Sequence, residues 1–285
     1  MSIHPSAVVD AGARIDPAAE VGPFCVIGAD VVIGAGTQLV GHVVVEGKTT
    51  LGRDNVVHPF ARIGGVPQDK KYRGEATALT LGDHNVVREN VTINVGTAAG
   101  GGFTKIGSHC LLMAGSHIAH DCRLGDDVIL VNGVGLAGHV DIDDQAIIGG
   151  LAGIHQHCRV GRLAFVGGGA MVTHDVLPFC LVQGDRAVHA GPNVVGLTRH
   201  GWPRRRILAL RQALRVLFRS GHTRQANLAL LEAGLAREDD DVMEICAFAR
   251  RAERGICPLR EGSQDGEAAL PAALGRERPR DVAHA

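Results

Sequence analysis

Aromatic residues are scarce in this chain: 3 % of 285 positions, with one Trp and one Tyr. The scarcity points to a narrow interior that Val, Ile and Leu can fill, because rings of 150 Å² and more need a wider core. Charge of one sign is also lacking. Lys and Arg number 29 against 30 Asp and Glu, which removes any whole-chain electrostatic argument for nucleic acid or membrane binding. Seven cysteines include no Cys-x-x-Cys pair, so neither a zinc knuckle nor a dithiol redox motif is supported. No apolar run is long enough to span a bilayer, and Met1-Ser2-Ile3-His4-Pro5 opens without a basic and apolar signal. These absences predict a cytoplasmic protein.

What is present is a period of six. Aliphatic residues stand at Ile3, Val9, Ile15, Val21, Ile27, Ile33, Leu39, Val45, Leu51, Val57 and Ile63, and the pattern restarts at Ile106 and runs through Ile118, Leu136, Ile154 and Val172. A small or polar residue usually follows, and a compact one comes four later. Three hexads make one triangular coil, and no coil buries its own interior, so stability comes from stacking at eighteen-residue spacing. The period predicts a mainly β chain: a left-handed parallel β-helix of hexapeptide repeats. Gly, Asn and Asp are expected at its tight turns, since they tolerate left-handed backbone angles. Cys25, Cys110, Cys122 and Cys158 occupy the fifth hexad position and read as small reduced core residues.

The hexads cover residues 1–190. Two interruptions break the count: a polar and charged one at 65–78, and one at 97–104, Thr-Ala-Ala-Gly-Gly-Gly-Phe-Thr, which reads as flexible. Insertions in a solenoid project from one face, often the binding face. After Pro178 the hexads stop. Residues 191–257 read as a small helical domain, with Ile207, Leu210, Leu214, Leu217 and Phe218, then Leu228, Leu231 and Leu235, then Val242, Ile245 and Phe248 at helical spacing. Ser220-Gly221-His222 is the expected break. Residues 258–285, rich in Pro, Gly, Arg and Glu, read as a disordered tail.

Candidate chemistry lies in His117-Ile118-Ala119-His120-Asp121-Cys122. Both histidines flank an inward Ile, so they sit away from the core. An imidazole beside a carboxylate is a general-base pair. Eighteen residues after Asp121 comes His139, then His157. Eighteen after His120 comes Gly138, then Gln156, with His155 nearby. A Gly above a candidate base leaves a backbone N–H open for an oxyanion. The plain alternative is that surface histidines populate solenoid turns, in a chain with fifteen of them. A zinc site of His117, His120 and His139 is a third reading.

Together with Gln68-Asp69-Lys70-Lys71-Tyr72, Leu136-Ala137-Gly138-His139-Val140, Ile147-Ile148-Gly149-Gly150, Gln183-Gly184 and Asn193 with Gly196-Leu197, these motifs resemble the acyl-carrier-protein-dependent UDP-N-acetylglucosamine O-acyltransferases, which open lipid A biosynthesis. The resemblance covers residues 1–255. It implies transfer of a 3-hydroxyacyl chain from acyl carrier protein to the sugar 3-hydroxyl, with no metal or organic cofactor, by a homotrimer with sites between subunits. It makes His120 the general base, Asp121 its orienting group and the Gly138 N–H the oxyanion donor. Gln68, Asp69, His117, His139 and His155 would contact sugar and acyl group, and Lys71 of a neighbouring subunit the diphosphate. Gln156, Asn193 and Arg199 would hold nucleotide and phosphates. Gly168 matches a position that limits the acyl groove and leaves room for a longer chain. Arg204, Arg205, Arg206 and Arg211, with Arg215 and Arg219, are placed to receive the acidic carrier protein; an ordinary solvated basic face is the alternative.

The chain departs from the family pattern at Asn94, where His is usual, at His157 for Phe, at His200 for another basic residue, and at Arg186 for His. These departures leave open N-acylation of the 3-amino analogue of the sugar. A zinc-dependent hydration enzyme on the same fold would not need the 68–75 loop, and a non-catalytic scaffold would not need His120-Asp121 beneath Gly138.

Overall fold

One aliphatic side chain in six points to a common axis, and its equivalent one coil later closes over it. The computed structural model, which describes residues 2–219 and 221–260, has this hexad geometry throughout its first two thirds. Among the described residues, strands of mostly two residues stack into three sheets of eleven, nine and eight strands, parallel except for the last strand of the first, and these are the three faces of a left-handed β-helix. Register follows the coil period: on the second face His117 pairs with Gly135, Gly135 with Gly153 and Gly153 with Met171. The inward residues from Val21 onward are buried, while Ile3, Val9 and Ile15 of the first coil are only half-buried, with no coil beneath them.

The repeat restarts earlier than the sequence suggests. Leu81, Val87 and Ile93 are buried at six-residue spacing between the two insertions and make a coil of their own. Leu51 therefore pairs with Leu81, and Leu81 with Ile106. The interior is not wholly apolar here. Asn55 donates to the Gly82 carbonyl at 2.9 Å and Asn85 to the Gly107 carbonyl at 3.1 Å, and Asn85 also donates to the Asn55 Oδ1 at 3.0 Å. Buried amides persist because each polar atom finds a partner.

The corners correct the expectation about turn residues. Among the described residues, fifteen non-glycine residues have positive φ, and each lies three positions after an inward aliphatic. Only four are Asn or Asp; the others are five His, three Phe, two Leu and one Gln. A left-handed angle costs such residues roughly 1–2 kcal/mol. Stacking along the corner offsets it: Phe24 on His42 at 4.9 Å, His42 on Phe60 at 5.3 Å, His84 on His109 at 4.9 Å and His139 on His157 at 4.4 Å between ring centroids.

The coil ends in a hairpin, Cys180–Gln183 antiparallel to Val188–Pro192, so the sheet crosses the 190/191 boundary. Four helices follow: α1 (Val194–Arg199), α2 (Arg204–Arg219), α3 (Arg224–Ala233) and α4 (Asp240–Arg250). Their apolar faces share a second core with Leu163, Leu177, Phe179 and Cys180 of the last coil. Arg162 pins α4 through two bonds to Glu244, at 3.2 and 2.8 Å. The chain then returns to the coil: Cys257 N–H donates to the Asp175 carbonyl and Arg260 N–H to the His189 carbonyl. Residues 258–260 are thus bonded into the fold, and the rest of the expected tail, like Ser220 at the expected helix break, lies outside the described residues. No helix among the described residues is long and apolar enough to cross a membrane.

Candidate active site

The corner between the second and third faces carries the chemistry. Strand His117–Ile118 turns through Ala119, His120 and Asp121 into strand Arg123–Leu124. Asp121 is the left-handed residue of that turn, with φ 60° and 4 % exposure. Its backbone N–H donates to Thr104 Oγ1 at 2.8 Å. Its carboxylate accepts from three donors: the Thr97 N–H at 2.9 Å, the Thr97 hydroxyl at 2.6 Å and His120 Nδ1 at 2.8 Å. A carboxylate is an acceptor only, so the proton lies on Nδ1 and His120 Nε2 carries the free lone pair. That is the tautomer a general base requires.

Gly138 lies flush against the His120 ring. A Cβ built on it would stand 2.5 Å from Cε1 and 2.8 Å from Nε2. The Gly138 N–H has no hydrogen-bond partner among the described residues, while its neighbour His139 N–H donates to the His120 carbonyl. His139 meets His120 edge-on at 5.1 Å and lies 3.9 Å from the Asp121 carboxylate. His117 Nδ1 is 2.7 Å from Thr92 Oγ1. Burial holds both imidazoles below their ordinary range: His117 by desolvation and then by His120, and His139 by desolvation outweighing the opposing pull of Asp121. Both are therefore neutral donors at neutral pH.

The set of possible metal ligands differs from the one the sequence suggests. The ligand atoms of His120, Asp121 and His139 lie within 4.8 Å of one another, and His117 is not among them. His120 Nδ1 and Asp121 Oδ2 are bonded to each other, and both carboxylate oxygens already accept from Thr97. This arrangement suits an acid–base pair better than a tetrahedral ion, whose ligands must turn their lone pairs to the metal.

The other expected residues separate into groups. Gln68 and Lys71 are exposed on the first inserted loop; Asp69 accepts from the Lys71 N–H at 2.9 Å and is close enough to act on the charge of His139. His155 and Gln156 are exposed at the dyad's own corner, one coil beyond Gly138. Gly168 has room, since an added Cβ would meet only the Gly150 backbone, at 3.4 Å or more. Arg199, His200, Arg204 and Arg205 are exposed, and Arg211 is half-buried. Two of the expected residues also hold the fold together. Asn193 is 8 % exposed and caps α1: Oδ1 accepts from the Gly196 N–H at 3.1 Å and Nδ2 donates to the Leu163 carbonyl at 3.0 Å. Its side chain seats α1 on the last coil. Arg206 makes two 2.8 Å bonds to Asp241 and stacks on Trp202 at 3.6 Å, so it ties α2 to α4.

Several residues at the site escape sequence reasoning. Thr92, Thr97, Gly100 and Thr104 all touch His117 or Asp121. The segment 97–104 is not a loose loop: it holds a 3-10 turn, Ala98–Gly100, capped by Thr97. Asn94, one of the departures, is 6 % exposed and donates to the Val66 carbonyl at 3.1 Å, so it secures the root of the first inserted loop. A groove of about 1100 Å³ opens beside Asp121 along the third face, lined in part by Lys105, Arg123, Asp141, His157 and Arg159.

Residues 175–257 match the family model described as UDP N-acetylglucosamine O-acyltransferase, domain 2, and residues 103–138 match the model of six bacterial transferase hexapeptide repeats. Over 266 residues, 92 % of this chain and 100 % of the relative, the chain is 54 % identical to the acyl-[acyl-carrier-protein]–UDP-N-acetylglucosamine O-acyltransferase of Caulobacter vibrioides. The crystal structure of the UDP-N-acetylglucosamine O-acyltransferase from Moraxella catarrhalis superposes with a TM-score of 0.87 at 42 % identity, covering 90 % of this chain and 99 % of that one. The Acinetobacter baumannii structure gives 0.88 at 40 %, with the same coverage. Likeness at this level, across coil and helices alike, places the chain in the acyl-carrier-protein-dependent UDP-N-acetylglucosamine O-acyltransferase family.

Proposed function

We propose that the protein transfers a 3-hydroxyacyl chain from acyl carrier protein to the 3-hydroxyl of UDP-N-acetylglucosamine, the first step of lipid A biosynthesis, with His120 as general base. The observation that carries this reading is the His120–Asp121 pair with its free Nε2 facing Gly138. His120 takes the hydroxyl proton as the sugar oxygen attacks the thioester carbonyl. The oxyanion is received by the Gly138 N–H. Collapse breaks the C–S bond, and the imidazolium returns its proton to the departing thiolate. Neutral His117 and His139 donate hydrogen bonds to sugar and acyl oxygens, beside Gln68, Asp69 and His155. Lys71 serves the diphosphate, and Gln156 and Arg199 the nucleotide.

The acyl chain has a path beside His117, where Gly135 leaves the outer column of the second face bare, with Gly168 on the adjoining corner. Exposed Arg204 and Arg205 on the first turn of α2 are the docking cations for the acidic carrier protein. The active form is a homotrimer. Support comes from the first face, whose outer column, polar at Ser2, Glu20 and Gln38, continues as Val56, Val86, Leu111, Ile129, Ile147, Phe165 and Leu181 without a polar residue. A stripe of that length needs a partner surface.

The test is acyl transfer from a graded series of 3-hydroxyacyl carrier proteins to UDP-N-acetylglucosamine and to its 3-amino analogue, beside His120→Ala. Ester product that vanishes in the variant supports the reading. Product with the amine alone moves the assignment to N-acylation, and activity retained by His120→Ala sinks the proposed base.

A further inference from the structure

The second insertion interrupts the hexad count for a reason that the transfer chemistry above leaves unused. Among the described residues, every hydrogen bond to the Asp121 carboxylate apart from that of His120 comes from it. Thr97 supplies its N–H to one carboxylate oxygen at 2.9 Å and its hydroxyl to the other at 2.6 Å. Thr104 accepts the Asp121 N–H at 2.8 Å, which holds the backbone in its left-handed turn. Gly100 packs on the carboxylate so closely that a Cβ there would overlap it. The Thr97 hydroxyl also accepts from the Gly100 N–H at 3.2 Å, so its own proton is directed at Asp121. Thr97 is 6 % exposed and the Asp121 side chain 1 %, so water does not substitute for these bonds.

We infer that Thr97 is a positioning residue for the acyl transfer, the third member of a Thr97–Asp121–His120 chain, and that the 97–104 insertion is the clamp that delivers it. A carboxylate held on both oxygens cannot rotate about its last bond. Its remaining lone-pair direction then fixes the plane of His120 and aims Nε2 at the reacting hydroxyl. Thr97 moves no proton; it acts through Asp121. Misplacement of a catalytic group by about 1 Å costs on the order of a hundredfold in rate, so loss of one of the two restraints is expected to cost less than that but to be plainly measurable.

The inference rests on His120 being the base, and the experiment separates the two. Steady-state kinetics are compared for the full-length wild type, Thr97→Val, Thr97→Ser, Asp121→Asn and the Thr97→Val/Asp121→Asn double variant, with His120→Ala as control. Expected are a drop in kcat of about tenfold for Thr97→Val with both KM values within about twofold, recovery of most activity in Thr97→Ser, and no further loss when Thr97→Val is added to Asp121→Asn. Additive losses, a loss confined to KM, or a Thr97→Ser as poor as Thr97→Val would overturn the inference. So would a Thr97→Val and a Thr97→Ala that both fail to fold, since the hydroxyl would then serve the fold. Activity in His120→Ala would instead overturn the reading on which the inference rests.

Discussion

At the scale of single residues, the site depends on atoms that are missing as much as on those present. Gly138 is the clearest case: the space a methyl group would take is occupied by the His120 ring. Gly138→Ala is expected to lower kcat about a hundredfold or more by displacing the base, with the melting midpoint little changed; unchanged kcat would mean the ring is not where the reaction needs it. The cysteines are the opposite case, residues whose burial makes them chemically silent. Burial pushes the thiols of Cys110, Cys122 and Cys257 up to about 12, and those of Cys158 and Cys246 to about 11. The thiolate is the reactive form, so these five thiols are expected to resist alkylation in the folded protein at pH 8 and to react in denaturant.

At the scale of elements, the corner ladders explain how bulky residues hold left-handed angles, and the helices explain which arginines are free. Arg206 lies in a run of three, and its sequence neighbours give no hint of a different role. The turn of α2 points it at Asp241, which is buried, and at Trp202. Removing Arg206 leaves the buried Asp241 carboxylate to the longer, 3.9 Å pair with Arg162, so Arg206→Ala is expected to destabilise the protein by about 1–3 kcal/mol. Arg204→Ala and Arg205→Ala should leave stability unchanged and raise KM for the acyl carrier protein. Denaturant melts beside carrier-protein titrations check this contrast; equal stability losses in all three would refute it. Asn193 makes a related point at the start of α1, where a residue expected at the ligand is also a helix cap.

At the scale of the whole molecule, the first-face stripe and one buried histidine set how the parts hold together. A lysine within the stripe, Ile147→Lys, is expected to shift the proposed trimer toward monomer in light scattering and to abolish activity, because the proposed mechanism takes Lys71 from a neighbouring subunit. A trimeric, active variant would place the interface elsewhere. His189 sits on the last strand against Phe218 of α2, fully buried, with neither ring nitrogen bonded among the described residues. Desolvation pushes it down to about 3 from an ordinary 6.5. Above pH 6.5 both folded and unfolded chains are neutral there and stability is unaffected. Below it the unfolded chain takes a proton that the folded chain refuses, so stability falls by about 1.4 kcal/mol per pH unit until the folded value is reached. His189→Phe should flatten the decline of melting temperature below pH 6.5; an unchanged slope would show that another group governs acid unfolding.

The sequence by itself determined the coil, its axis and its corner. A period of six fixes which side chain faces inward, and multiples of eighteen bring His120 to Gly138 and Asp121 to His139 before any coordinate is seen. That information is local and periodic, so it survives in one dimension. It failed wherever the period was broken. The coil of Leu81, Val87 and Ile93 went unread between two insertions, and the roles of Thr97, Thr104 and Asn94 lie inside or beside those insertions, where the count no longer says what is above what. The commitments of Asn193 to Leu163 and Arg206 to Asp241, and the isolation of His189, were likewise decided by the tertiary structure alone. Each is a meeting of segments about thirty residues apart with no shared period, and only packing the helices against the last coil brings them together.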